Sequence, residues 1–500
     1  MSTLARLPRL RPGTALSRAA VPSLSWDDFA GAILQGVEAG LRVVALFADA
    51  PLEEAPMPLW VVLADDTAGD LAVGGTTIEG SSFPSLTPAC PQVHLFEREI
   101  AEQSGLHPDG HPWLKPVRFE PSQKAAHALP GVIDFYRIEG EEVHEVGVGP
   151  VHAGVIEPGH FRFQCHGETV FHLEISLGYQ HRGIERALIG GPGKRTMHYL
   201  ETAAGDTTIG HGTAHCEIVE ALTASAPPAR ATALRGIALE LERLASHVGD
   251  LGALAGDVGY LPTASYCGRI RGDFLNLTAE LCGSRFGRGM VRPGGVRFDV
   301  DQRLSSELLR RLDQASDAAR SAIDLLWEEP SVMGRFEGTG IVPREVAEAL
   351  GLSGPAARAS GLDRDARRDH PCGIYRFRHI PVSLGDSGDV FARAYVRWLE
   401  IQRSLAFVRE GLQELPGGPV MTDLKALAPS RLAISLVEGW RGEICHVALT
   451  DEQGRFSRYK VVDPSFHNWS ALEYALRGQQ ISDFPLCNKS FNLSYCGHDL

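Results

Sequence analysis

No two cysteines of this 500-residue chain stand in Cys-x-x-Cys spacing, although nine are present. Metal-binding thiolates must converge on their metal and usually do so through short local spacing. An odd number also excludes a complete disulfide framework. The cysteines therefore read as scattered, buried small residues. Long apolar runs are missing as well: nothing approaches the roughly 20 residues that cross a bilayer, and stretches such as Val43 to Ala48 predict buried strands. Positive charge is in deficit, 48 basic against 62 acidic residues for a net charge of -14. That excludes a general nucleic-acid binder, which needs a positive surface to neutralise phosphates. The opening stretch, Met1 to Ala20, carries arginines but no sustained apolar segment or cleavage signal, so residues 1–23 are expected to be a flexible leader of a cytoplasmic chain. GGPGKR, from Gly190 to Arg195, lacks the spacing and context of a dinucleotide loop, so NAD would need a separate module.

What is present is enough apolar sequence, 44% of residues, to bury a large core in two or more domains. Residues 24–128 read as a small α/β domain. Leu41 to Phe47 and Leu59 to Leu63 predict strands, Gly74, Gly75 and Gly80 a turn-rich stretch, and Leu95, Phe96 and Ile100 one face of a helix that Gly105 ends. A linker over 129–145 leads into a larger domain, 146–500. It opens on alternation at Phe161, Phe163 and Cys165, then Val170, His172 and Glu174, which predicts a hairpin turning at Gly167. Helical spacing at Ile237, Leu241, Leu244 and Val248 predicts a helix over 231–254, with others near 272–282, 305–326 and 391–412. Residues 463–469 are expected to be a compact turn and 471–476 a short helix.

Several segments carry a family resemblance. VHLFEREIAEQSGLHPDGHPWLKP, Val93 to Pro116, resembles the signature of the 30-kDa subunit of respiratory complex I through Glu97, Arg98, Glu99, Gly105, His111 and Pro112. VGVGPVHAGVIEPGHFRFQCHGETVFHLEISLGYQHRGIER, Val146 to Arg186, resembles the complex I 49-kDa subunit. VEGWRGEICHVALTD, Val437 to Asp451, is similar to an E-x-P-R-G-E segment with Trp440 at the proline. The last ten residues, FNLSYCGHDL, resemble the end of the large subunit of group 4 membrane-bound nickel–iron hydrogenases of formate hydrogenlyase type. The resemblance covers nearly the whole chain. It implies an α+β fold in which a small complex I 30-kDa-like α/β domain precedes a mainly helical, hydrogenase-large-subunit/49-kDa-like domain.

The same resemblance isolates what has changed. In the hydrogenases, R-x-C-G-x-C-x-x-x-H and D-P-C-x-x-C supply four nickel thiolates. With Gly205, His211 and Asp499 fixing the register, those positions fall on Ala204, Thr207, Ser494 and Gly497. None is a thiolate, so no NiFe centre is expected. A different metal held by His211, His215, Cys496 or His498 is the remaining metal reading. The complex I quinone pair is replaced by Ile156 and Gly205. His160 and Tyr199 are the candidate substitutes for a possible quinone, able to hydrogen-bond its two ends. Glu168, Glu174, His181, Arg182, Glu185, His211, Glu438 and Arg441 are the candidate proton-handling residues, because buried acids beside cations can be tuned for relay. A structural arginine–glutamate network is the alternative for Arg182 and Glu185.

The resemblance thus implies a peripheral-arm subunit on the cytoplasmic side of a membrane-bound, energy-converting oxidoreductase complex. It would link electron transfer in a partner to proton or ion translocation, without hydrogenase activity of its own. The implied partners are a small iron–sulfur subunit carrying a 4Fe–4S cluster, a ferredoxin-like electron-transfer subunit, and membrane subunits related to complex I and cation antiporters. Three alternatives stand beside it: a catalytically inert structural subunit, a metal-free quinone-like redox cavity, and a divergent nickel–iron hydrogenase.

Overall fold

A computed structural model describes residues 3–49, 56–120, 129–153 and 156–500. The N-terminal α/β domain is built on three long strands, Arg42–Ala48, Met57–Asp65 and Asp70–Ile78, paired antiparallel in that order. Gly74 and Gly75, expected in a turn, lie inside the third strand. Gly74 is closely packed there: a Cβ would sit 3.1 Å from Val61 Cγ1 and 3.2 Å from Leu7 Cδ2, so those side chains would have to shift. The helices Trp26–Glu38 and His94–Ser104 bury Phe29, Ile33, Phe96 and Ile100 in the domain core, and Gly105 ends the second helix in the left-handed region at φ 72°.

The expected flexible leader is ordered over residues 3–23. Arg9–Leu10 pairs with Asp70–Ile78 in the N-terminal sheet, and Thr14–Ser17 is an edge strand of a second sheet, placing Ala15 opposite Ala433. Both pairings are long-range, so composition near the N-terminus carried no sign of them. The arginines that suggested disorder are engaged: Arg9 reaches Asp65 and Asp70, and Arg18 reaches Asp49.

That second sheet, Thr14–Ser17 with Arg431–Glu438, Glu443–Thr450 and Phe456–Val462, is the partition of the molecule. Period-two alternation gives it two apolar faces. Leu432, Ile434, Cys445 and Val447 join the N-terminal core, while Ala433, Ala448, Tyr459 and Val461 pack with Ile218, Val219 and Leu222 of the helix Thr208–Thr223.

Behind that helix lie Ala229–Asp257, Leu261–Cys282, Gln302–Trp327 and Val390–Gln413, each reaching beyond its expected start. Leu234, Ile237, Leu241, Leu244, Val248 and Leu251 of the first are buried, and each contributes about 1.5–3 kcal/mol of burial. Gly252 lets the next helix approach closely, because a Cβ there would sit 2.6 Å from Cys267 Cβ. The expected hairpin is the pair His160–His166 and Thr169–Ser176, with Val143–Val148 added at its edge. Residues 463–469 differ from expectation. They begin the helix Pro464–Ala475, capped by Asp463, whose carboxylate accepts the Ser465 N–H at 2.8 Å, with proline at the first helical position. All nine cysteines are buried and unpaired, and no described helix is long and apolar enough to cross a membrane.

Candidate functional site

Ala204 and Thr207 precede or start the helix Thr208–Thr223, while Ser494 and Gly497 open the terminal helix Tyr495–Asp499; all four are buried. Arg441 ties the two halves together. It binds Asp206 through two bonds of 2.6 and 2.8 Å, reaches Thr207 Oγ1 at 3.3 Å, and donates to the Asn492 carbonyl at 2.5 Å. Its guanidinium lies 3.8 Å over the Trp440 ring, whose N–H donates to the Asp206 carbonyl at 3.1 Å. Arg182 closes the other side, donating to the Thr202, Ala203 and Cys496 carbonyls at 2.6, 2.9 and 2.9 Å. His181 Nδ1 meets the Asp499 carbonyl at 2.8 Å, and Asp499 accepts the N–H groups of Gly178 and Gln180. His181 and Arg182 therefore fasten the C-terminal tail.

A continuous hydrogen-bonded chain starts at this cleft. Asp463 Oδ2 meets His211 Nε2 at 3.1 Å, and His211 Nδ1 meets His446 Nε2 at 3.1 Å. His446 Nδ1 meets Tyr459 Oη at 3.0 Å, and the same oxygen meets His215 Nδ1 at 3.0 Å. All five side chains are buried. Burial alone would raise Asp463, but the hydrogen bond from His211 and the charge of Arg441 offset it and hold the carboxyl below its ordinary range. Burial lowers His215 to about 3 and drives His446 well below the imidazole range, helped by His211 and His215; burial also raises the Tyr459 phenol. With neutral imidazoles, one proton arrangement satisfies every link. Ionised Asp463 only accepts, so His211 donates to it from Nε2, His446 donates from Nε2, Tyr459 donates to His446, and His215 donates from Nδ1.

The family described as the 49-kDa subunit of respiratory-chain NADH dehydrogenase matches residues 257–435 and 425–499. Formate hydrogenlyase subunit 5 of Escherichia coli is 31% identical over 435 residues, covering 83% of this chain and 76% of that protein. The chain belongs to this family. The carbon monoxide-induced hydrogenase of Rhodospirillum rubrum is 31% identical over 350 residues (70% of this chain, 97% of that protein). NADH-quinone oxidoreductase subunit 4 of Thermus thermophilus is 31% identical over 369 residues, 68% of this chain and 90% of its own length.

For this 49-kDa-subunit relative, the hydrogenase-type cofactor is a matter of donor chemistry, and the residues do not fit it. Alanine and glycine offer no ligand, and neutral hydroxyls are poor ones for a soft metal. Thr207 Oγ1 is engaged by Arg441, and Ser494 Oγ accepts the Gly497 N–H at 2.9 Å as a helix cap. A Cβ on Gly497 would meet Asp463 Oδ2 at 2.8 Å, so the space of the missing thiolate is filled by a carboxylate. The other donors do not converge. His211 and His215 belong to the buried chain, Cys496 contacts Ser494 Oγ at 3.4 Å, and His498 faces Asp499. Among the described residues no group of three or more His, Cys, Asp or Glu could hold a metal ion.

The remaining candidates occupy separate places. Glu185 lies in a buried ionic cluster between the two domains, with Arg458 and Lys460 at 3.0 and 3.1 Å and the Val461 N–H at 2.9 Å. Burial would raise its carboxyl, but Lys460, Arg458 and Arg118 outweigh it and hold it well below the carboxylate range. Lys460 also binds both oxygens of Glu99 at 2.6 Å, and Glu99 pairs with Arg118. Glu438 sits among buried helices, 2.8 Å from Arg358, and is pushed up to about 7 by burial against the pull of that arginine. Arg358, Glu400, His247, Arg243 and Glu240 extend this network along the helix Ala229–Asp257. Arg243 returns it to the cleft by donating to the Glu438 and Gly439 carbonyls. Glu174 pairs with Lys115 at 2.6 Å, whereas Glu168 is exposed at the hairpin turn.

No contact among the described residues joins His160 to Tyr199. His160 meets the Gly149 carbonyl at 3.3 Å and packs on Phe135, whereas Tyr199 packs against the cluster of Ile184, Leu188 and Leu200. Sequence reasoning missed Asp463, His446 and Tyr459 as partners of His211, and Lys460 as the partner of Glu185. A usable signal existed for Lys460: a lysine between Tyr459 and the apolar pair Val461 and Val462 must find an anion if the strand is buried. His446 and Tyr459 were findable only through strand register, which places them diagonally on one face of neighbouring strands.

Proposed function

We propose that this chain is a peripheral-arm subunit of a membrane-bound, energy-converting oxidoreductase complex. It carries no nickel–iron centre and links electron transfer in an iron–sulfur partner subunit to proton or ion translocation by membrane subunits. The observation that carries this reading is the unbroken buried chain from His215 to Asp463, which ends where the hydrogenase relatives would hold metal.

The chain's chemistry suits proton transfer. A proton arriving at His215 Nε2 lets the Nδ1 hydrogen pass to Tyr459. The tyrosine hydrogen then moves to His446, the His446 Nε2 hydrogen to His211, and the His211 Nε2 hydrogen to Asp463. One proton enters, one arrives at the carboxylate, and no charge is left on an intermediate ring. The scattered placement of His160 and Tyr199 gives the quinone alternative no such support.

The test is a His211→Gln variant of the intact complex, reconstituted in sealed vesicles. Electron transfer and ion uptake are measured together, and a drop in ions moved per electron is expected with all partners retained. An unchanged ratio in a fully assembled complex would remove the linking role and leave the structural-subunit reading.

A further inference from the structure

We propose that residues 129–138 form a strap that lifts off the hairpin His160–His166 and Thr169–Ser176 as pH falls, uncovering its polar face. This stretch holds no helix or strand, and Leu129, Val132 and Tyr136 are exposed. Among the described residues it makes no backbone–backbone hydrogen bond to the hairpin. Side chains fasten it instead. Glu174 is the latch: one carboxylate oxygen accepts the Tyr136 N–H at 2.7 Å, and the other binds Lys115 at 2.6 Å, which in turn donates to the Asp134 carbonyl. Gln164 accepts the Ile138 N–H at 3.3 Å. Phe135 and Tyr136 then lie against His160 and His172, with ring centroids 5.2 and 4.9 Å apart.

Closure leaves the covered face poorly satisfied. His160 Nε2, Arg162 Nε, Gln164 Nε2 and His172 Nε2 are buried and find no hydrogen-bond partner among the described residues, although buried polar groups are nearly always paired. Each of these side chains touches the strap, Arg162 by lying 4.6 Å over the Phe135 ring. The two histidines make the balance depend on pH. Burial holds both below the ordinary imidazole range. Arg162 also opposes protonation of His160, while the Gly149 carbonyl and Glu174 favour it. Arg477 and Lys115 oppose protonation of His172, and Glu174 favours it. Two nearby acids are already engaged, Glu145 with Arg162 at 3.0 Å and Glu473 with the Ile175 N–H at 2.8 Å. Both rings are therefore neutral under the closed strap and protonate more readily once it lifts. Closure is fully favoured above the ordinary imidazole value of about 6.5 and is lost as pH falls through it toward the lower closed-state values. In that window each histidine raises the open-to-closed ratio by up to about tenfold per pH unit.

The inference goes beyond the proposed linking role and does not rest on it. The test is hydrogen–deuterium exchange of the full chain between about pH 8 and 5.5, a range above the ordinary carboxylate values. Each rate is divided by the intrinsic exchange rate at the same pH, so that protection reports local opening. Residues 132–138 should be protected at pH 8 and lose at least about tenfold of that protection between about pH 7 and 5.5, while residues 161–165 of the hairpin stay protected. Glu174→Gln should weaken protection of the strap at every pH, because an amide cannot hold the Lys115 charge. His160→Phe combined with His172→Phe keeps neutral rings against Phe135 and Tyr136, and should hold the strap closed in acid. If that double variant does not fold, His172→Phe alone should about halve the logarithmic slope against pH. Protection of 132–138 that does not change with pH would overturn the proposal. So would parental protection in Glu174→Gln, a parental slope in the histidine variants, or a loss shared by 161–165.

Discussion

Replacing Tyr459 with phenylalanine removes one oxygen from the middle of the buried chain and leaves the ring that packs against Phe456 and His446. The deleted hydroxyl is the partner of both His446 Nδ1 and His215 Nδ1, each at 3.0 Å. No other contact joins those two imidazoles among the described residues, so the chain is cut into separate parts. Two buried ring nitrogens lose their partner, and leaving such a group unsatisfied costs about 1–3 kcal/mol. The expected destabilisation is about 2–6 kcal/mol, a large share of the roughly 5–15 kcal/mol by which domains are stable. Urea denaturation gives this as a lower midpoint at unchanged slope. In the reconstituted complex, the variant should carry electrons yet move fewer ions per electron. A parental midpoint would show that the hydroxyl does not bridge the rings. Parental ion transport from an assembled complex would show that protons take another route.

Three further outcomes follow from the same geometry. Lys460→Met leaves Glu99 and Glu185 without their shared cation, and breaking a buried pair in this way costs about 3–5 kcal/mol; thermal unfolding should show it, and adding Glu99→Gln should recover part of the loss. Glu185 has a folded value held below its unfolded one of about 4.3, so its stabilisation is present above that pH and is lost as pH falls through the lower folded value. Glu185→Gln should therefore be less stable than the parent at neutral pH, with the two stability curves converging in acid. Gly497→Cys restores one thiol of the hydrogenase pattern but drives its Cβ to 2.8 Å from Asp463 and 2.9 Å from Ser494 Oγ. It should lose about 1–3 kcal/mol from overpacking and gain no nickel, as calorimetry and metal analysis would show.

The helical half of the fold was legible because periodicity is local: Ile237, Leu241, Leu244 and Val248 declare one buried face within a few turns. The hairpin at Gly167 was legible for the same reason. The edge strands Arg9–Leu10 and Thr14–Ser17 were not, since each is completed by a strand far away in the chain. The start of the helix Pro464–Ala475 was missed although Asp463 followed by Pro464 is a recognisable cap and first turn. Site legibility divided along the same line. Loss of the four thiolates could be read position by position, and so could the survival of His211. What replaced the metal depended on Asp206, His446, Tyr459 and Asp463, which reach the cleft through sheet register and long-range packing. Arg182 and His181, expected near a proton path, hold the C-terminal tail by its carbonyls.

The hydrogenase-like cleft is filled by a polar core whose residues do not fit a nickel–iron centre. The most direct measurement is the nickel content of the intact, gently purified complex relative to this chain. The Arg441–Asp206 pair, the Ser494 cap and the closed space at Gly497 predict nickel at background. One nickel per chain, retained through purification, would contradict it.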